Sequence, residues 1–203
     1  MDSPLRIAVT AISFVALCAL GGCGGADGSD GRDTEATGPQ PSVSETVTAP
    51  VPQQLAPIGA SASATAPSST DEAGNAVTYK VENVLDGDPT TAWRVSGDGA
   101  GIQIVFDFGG AVHLTELGLI PGYAKVDPSG TDRFVQNRRL VTVQWDFADG
   151  TVLNQTFLDE PTMQTLPADI TTTWARLTVI STTEDGGRDF TPISDVWFEG
   201  TVG

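Results

Sequence analysis

The chain has 203 residues, with 26 acidic and 10 basic side chains, one histidine and two cysteines, for a formal net charge of −16. At roughly 150 residues per domain this holds one domain plus flanking segments, and the anionic excess argues against a nucleic-acid partner, which needs clustered Lys and Arg. Two cysteines supply neither a disulfide framework nor a four-cysteine zinc site.

Residues 1–22 read as a lipoprotein signal peptide. Arg6, beside Asp2, gives a weak positive start, and the apolar run Ile7–Leu20 is 14 residues long. That is short of the roughly 18–20 needed to span a bilayer and matches a signal core. The run ends at Leu20-Gly21-Gly22-Cys23, which resembles the bacterial lipoprotein cleavage site. The resemblance implies that Cys23 carries the lipid and becomes the mature N-terminus, anchoring the protein to the cell membrane and facing it outside the cytoplasm. An ordinary signal peptide is the bland alternative. Cleavage removes Cys18 and lipidation consumes Cys23, so the exported domain is expected to hold together by its core alone.

Residues 23–57 form a segment of Gly, Ser, Thr, Pro, Ala and Asp with few large apolar side chains. Such a composition buries too little apolar area to offset ordering entropy and reads as a disordered tether. From residue 58 the character changes. Ile102, Ile104, Phe106 and Phe108 alternate with polar residues, as do Val141–Phe147 and Ala175–Val179, and Ile193–Phe198 reads as a closing strand. Leu114–Ile120 is a more continuous apolar run, consistent with a strand covered on both faces. Lys80–Leu85 has room for one short helical turn. Turn signals at Asp86–Pro89, Gly109-Gly110, Asp127–Gly130, Asp149-Gly150 and Asp185–Gly187 punctuate these runs. The pattern predicts an all-β jelly-roll sandwich over 58–203.

Tyr79–Trp93, with Asp86-Gly87-Asp88-Pro89-Thr90-Thr91-Ala92-Trp93 at its end, resembles the opening of a discoidin-type (coagulation-factor C) domain, a galactose-binding-like jelly roll. Gly122–Lys125, Phe134–Arg139, Leu158-Asp159 and Ile193–Phe198 narrow the resemblance to the branch named for the translocation domain of an NAD glycohydrolase. It covers about residues 58–201. No second region could cleave NAD, so the name implies no glycohydrolase activity here. It implies a module that binds carbohydrate through loops at one end of the sandwich, and the chain is expected to be a monomer.

Tyr123, Arg133, Asn137, Arg138 and Arg139 are the candidate ligand-binding residues. Four of them fall within seven positions of a chain otherwise poor in basic groups. Arg, Asn and Tyr together supply the donors, acceptors and ring that polyol recognition needs, and an acidic glycan would suit the arginines further. Equally, Arg138 or Arg139 could pair with Asp132, Asp159 or Asp189 and pin a loop. Asp86 and Asp88 either accept backbone N–H bonds within their turn or offer oxygens to calcium. In related sugar modules a structural calcium at this turn would also recruit Thr91 and Glu199. Trp93, Trp145 and Trp197 read as core, and Trp174 as partly exposed. His113 is alone, and no Gly-x-Ser-x-Gly elbow accompanies it; Gly97–Gly101 leads into a strand, not into the helix that a phosphate cradle uses. The expected function is a non-catalytic, lipid-anchored carbohydrate binder. The alternatives are a structural or protein-binding envelope lipoprotein on the same scaffold and, last, a hydrolase.

Overall fold

The computed structural model describes residues 50–203 apart from Glu72 and Asp185. The signal segment, Cys23 and most of the tether lie outside the described residues. The strands are β1 (Gln53–Gln54), β2 (Gly59–Ala62), β3 (Ser69–Thr70), β4 (Ala76–Val77), β5 (Trp93–Ser96), β6 (Gln103–Leu119), β7 (Leu140–Phe147), β8 (Val152–Thr156), β9 (Gln164–Thr182), β10 (Phe190–Ile193) and β11 (Val196–Val202). A 3₁₀ turn spans Val81–Leu85, and one helical turn, α1, spans Arg133–Gln136.

β6 and β9, the two longest strands, belong to both layers of the sandwich. The first half of β6 pairs with β2 and with the second half of β9, which in turn pairs with β7 and so with β8. After breaks in register between Asp107 and Val112, and again between Leu114 and Glu116, the second half of β6 pairs with β11 and with the first half of β9. β1 closes that layer along β11, while β5 pairs with β10 and β3 with β4 as two small antiparallel ribbons. The period-two pattern explains the core between the layers: Ile104, Phe106 and Phe108 from β6, Val143, Trp145 and Phe147 from β7, and Ala175, Leu177 and Val179 from β9 are all buried. Phe198 on β11 reaches across to Phe106 and Trp145, with ring centroids 5.2 and 5.9 Å away. Trp93 is fully buried, and its indole N–H donates to the Ala64 carbonyl and the Thr65 hydroxyl. Trp145 donates to Gln155 Oε1 at 3.0 Å. Each buried indole thereby keeps a partner for its one polar group.

Four expectations need correction. Gly109-Gly110 does not reverse the chain; β6 runs through it as one bent strand, with Gly109 at a positive φ of 72°, so the glycines relax the ladder without ending it. Ile193–Phe198 is two strands, because buried Ser194 leaves the ladder to accept from the Ala124 N–H and donate to the Pro89 carbonyl. The last tether residues are structured: Gln53 and Gln54 pair with Gly200 and Glu199, and Leu55 is buried. Trp197 is only half-buried, as Trp174 is, because both face away from the inter-layer core. His113 lies on the outer face of β6, flanked by β9 and β11, where its ring meets Asp169 at 3.3 Å.

Candidate functional site

The loop from β6 to β7 and the loop from β9 to β10 are zipped together by backbone hydrogen bonds. Arg188 N donates to Gln136 O, Arg138 N to Phe190 O, and Thr183 N to Arg139 O. Within the first loop, Asp132 caps α1 by accepting from the Phe134 and Val135 N–H groups at 2.9 and 3.4 Å. This fixes Arg133 and Asn137 at either end of one turn.

The two loops meet β3, β4 and β5 around a small polar pocket of about 40 Å³, into which Tyr79, Arg94, Tyr123, Arg133 and Asn137 converge. Tyr123 is 5% exposed, and its ring sits edge-on to Tyr79 at 6.5 Å. Burial, with help from Tyr79 and Asp127, pushes its hydroxyl pKa up to about 12, so it stays a neutral donor and acceptor. The Tyr79 hydroxyl lies 2.8 Å from Ser69 Oγ. Asp127 is buried between Arg133, with which it forms an ion pair, and Lys125 at 3.5 Å. Asn137 donates from Nδ2 to Arg133 O at 2.7 Å, while its buried Oδ1 has no partner.

Of the five candidate residues, Tyr123, Arg133 and Asn137 line this pocket, whereas Arg138 and Arg139 do not. Arg138 reaches Asp189 at 2.6 Å and the Thr183 carbonyl, and Arg139 makes a two-pronged pair with Asp159 at 2.8 and 3.0 Å. They pin the loops that shape the site. The Arg139 guanidinium lowers the Asp159 pKa, chiefly by hydrogen bonding. That contribution is present above the ordinary carboxylate range and is lost as pH falls through the lowered value. Arg139→Gln is therefore expected to cost about 1 kcal/mol at neutral pH, because Asp159 is largely exposed. Urea titration is expected to show the difference at pH 7 and its decline as pH falls below the ordinary carboxylate range.

Residues that the sequence reading passed over complete the site: Tyr79, Arg94, Lys125, Asp127 and Arg188. Arg94 follows buried Trp93 on β5, with Val95 after it, and an isolated charge in such a strand ordinarily faces water. Here it is 4% exposed. Trp93 and Val95 share one face of the strand and Arg94 points to the other, so no local pattern marks its burial, which Tyr79 and Phe190 supply.

The Asp86–Thr91 turn holds itself together. Asp86 accepts from the Asp88 N–H and the Thr91 hydroxyl, both at 2.9 Å, and Asp88 accepts from the Thr90 N–H and hydroxyl at 2.9 and 2.7 Å. Glu199 sits elsewhere, on β11 opposite Glu116 and Gln54. Among the described residues no group of three or more His, Cys, Asp or Glu is arranged to hold a metal ion. The donor set therefore does not fit the calcium of the resemblance: the two aspartates are engaged within the turn and the proposed third carboxylate is not beside them.

The acidic neighbour of Asp86 is Asp195, half-buried after β10, whose pKa is raised to about 6 by desolvation and then by Asp86, against a hydrogen bond from the Val196 N–H. A raised carboxylate favours folding fully below about pH 4 and loses that contribution as pH climbs through the raised value. Asp195→Asn keeps the acceptor for Val196. It is expected to raise stability by roughly 1 kcal/mol at pH 7.5, discounted for solvent screening, and to leave it unchanged at pH 4, read by thermal unfolding at the two pH values.

A family model described as the NAD glycohydrolase translocation F5/8 type C domain matches residues 58–199. No protein of curated function matches the chain. Among solved structures, the family 32 carbohydrate-binding module of Clostridium perfringens NanJ, in complex with galactose, superposes with a TM-score of 0.52 at 14% identity, over 73% of this chain and 99% of that one. Module CBM32-3 from a family 31 glycoside hydrolase of C. perfringens gives 0.52 at 15% identity, over 73% and 95%. Truncated AlyQ, with CBM32 and alginate lyase domains, gives 0.50 at 18% identity over 75% of this chain. This chain spans only 34% of that one. At these identities the superpositions speak to the shared β-sandwich alone. With the family match covering most of the sequence, the chain belongs to the NAD glycohydrolase translocation F5/8 type C domain family.

Proposed function

We propose that this chain is a non-catalytic lipoprotein of the outer face of the cell membrane that binds carbohydrate in the pocket between the β6–β7 and β9–β10 loops. The observation that carries the reading is the convergence of two tyrosines, two arginines and an asparagine on one pocket, with a donor (Arg94 Nε) and an acceptor (Asn137 Oδ1) that the described residues do not satisfy. Buried polar groups in folded domains are nearly always paired, and a sugar presents both hydroxyl donors and oxygen acceptors. The galactose complex of the NanJ module, which has the same fold, is consistent with this use of the scaffold. The Leu20–Cys23 motif supports the anchor. Two acyl chains would hold the protein at the membrane where one would be marginal.

The test is a glycan array probed with the full chain, alongside an Asn137→Ala variant. The expected result is retention on a defined set of glycans, weakened about tenfold or more by the variant, in line with leaving a site's polar groups unpaired. No retention on any glycan, with the protein folded, would overturn the reading. Fractionation of cells carrying Cys23→Ala tests the anchor, with the protein moving from the membrane to the soluble fraction.

A further inference from the structure

The chain has 26 acidic residues for 10 basic ones, so a carboxylate partner for any arginine is easily found. Arg133, Arg138, Arg139 and Arg176 each have one. Among the described residues, Arg94 is the deeply buried guanidinium that has none. Its Cζ lies 3.5 Å from the Tyr79 ring centroid and 4.0 Å from that of Phe190. The two rings clamp the faces of the guanidinium and leave its edges for in-plane hydrogen bonds. Its Nε is buried without a partner. Desolvation lowers its pKa, and the charges of Arg188 and Arg133 add to that; an incoming anion would relieve all three effects.

The pocket around it is cationic in an anionic protein. Arg94, Lys125, Arg133 and Arg188 line it against Asp71 and Asp127. Both carboxylates are already engaged: Asp127 by Arg133 and Lys125, Asp71 by the Ala73 and Asn75 N–H groups of its own turn. At about 40 Å³ the space admits roughly three water-sized groups. It suits one charged substituent and a neighbouring hydroxyl, with the sugar ring resting at the mouth.

We infer that the pocket selects an acidic sugar, a uronic acid, whose planar carboxylate is taken by the Arg94 guanidinium while an adjacent hydroxyl donates to Asn137 Oδ1. This rests on the glycan-binding reading above and narrows its ligand class. A planar carboxylate matches the fork of a guanidinium pinned by stacking, whereas a neutral polyol would leave the buried cation uncompensated.

The test is calorimetry on the full chain with dimers of galacturonate, glucuronate and mannuronate, each against its own methyl ester, which keeps the shape and removes the charge. The expected result is at least one acid binding tenfold or more tightly than its ester, with the advantage shrinking at 0.5 M salt. Arg94→Met is expected to bring the acid down to the level of the ester. Should that variant fail to fold, Arg188→Ala at the exposed rim is expected to lower acid affinity about threefold and spare the ester. Acids binding no better than esters, or galactose 6-sulfate binding as well as the best uronate, would overturn the inference. Neutral glycans held on the array without any preference for acids would sink this inference alone; no glycan held at all would sink the glycan-binding reading as well.

Discussion

Phe198→Ala is expected to remove a large share of the domain's stability, at a cost of about 4 kcal/mol. Phe198 is almost fully buried, and its ring meets Phe106, Phe108 and Trp145 edge-on at 5.2, 5.1 and 5.9 Å. Truncating a buried phenylalanine costs about 3–5 kcal/mol through lost transfer energy and the cavity left behind. Three edge-to-face pairs, each worth about 0.5–1.5 kcal/mol beyond area, place it in the upper part of that range. The total available is about 5–15 kcal/mol, and residues 50–203 contain no cysteine to close a disulfide. Urea unfolding followed by tryptophan fluorescence reads the loss directly. Val152→Ala, on an exposed position of β8, is expected to stay within about 0.5 kcal/mol of the parent.

Gly200→Ala is expected to cost about 2–3 kcal/mol, more than an alanine normally costs in a strand. Gly200 sits at the register break between Glu199 and its own position, where β11 crosses β6. A Cβ there would overlap the His113 carbonyl oxygen and press on the Leu114 Cα. Both are backbone atoms of a central strand and cannot swing aside, so the ladder itself must move. Overpacking of this kind costs about 1–3 kcal/mol and sometimes more. Gly110→Ala supplies the contrast: a Cβ at Gly110 meets nothing within 4 Å, and chemical denaturation is expected to leave the midpoint nearly unchanged. Equal losses at the two glycines would contradict the bulge as the cause.

The elements most legible in the sequence were those where local pattern and tertiary demand agree. Alternation in 102–108, 141–147 and 175–179 named the buried face of three strands, because a half-buried strand imposes period two on its own sequence. Gly109-Gly110 misled because a glycine pair marks permissive backbone and does not say whether the chain turns or bends; that depends on strands β9 and β11, supplied from some 60 to 90 residues downstream. Ile193–Phe198 misled for a related reason, since Ser194 is drawn off the ladder by Pro89 and Ala124.

The site was legible in half. Tyr123, Arg133 and Asn137 lie close together in sequence and stayed together in space. Arg138 and Arg139 are open in sequence between ligand binding and pairing with Asp132, Asp159 or Asp189, and the structure shows the pairs with Asp189 and Asp159, from distant loops. Arg94 was invisible because its two stacking partners, Tyr79 and Phe190, precede and follow it on opposite sides and far along the chain. No short window holds all three.

The most direct measurement is amide and side-chain NMR of the labelled chain, titrated with a glycan that the array identifies. The account predicts shifts concentrated at Tyr79, Arg94, Tyr123 and Asn137, with the outer face of β6 around His113 unmoved. Saturable shifts that map anywhere else on the sandwich, and leave those four residues silent, would contradict it.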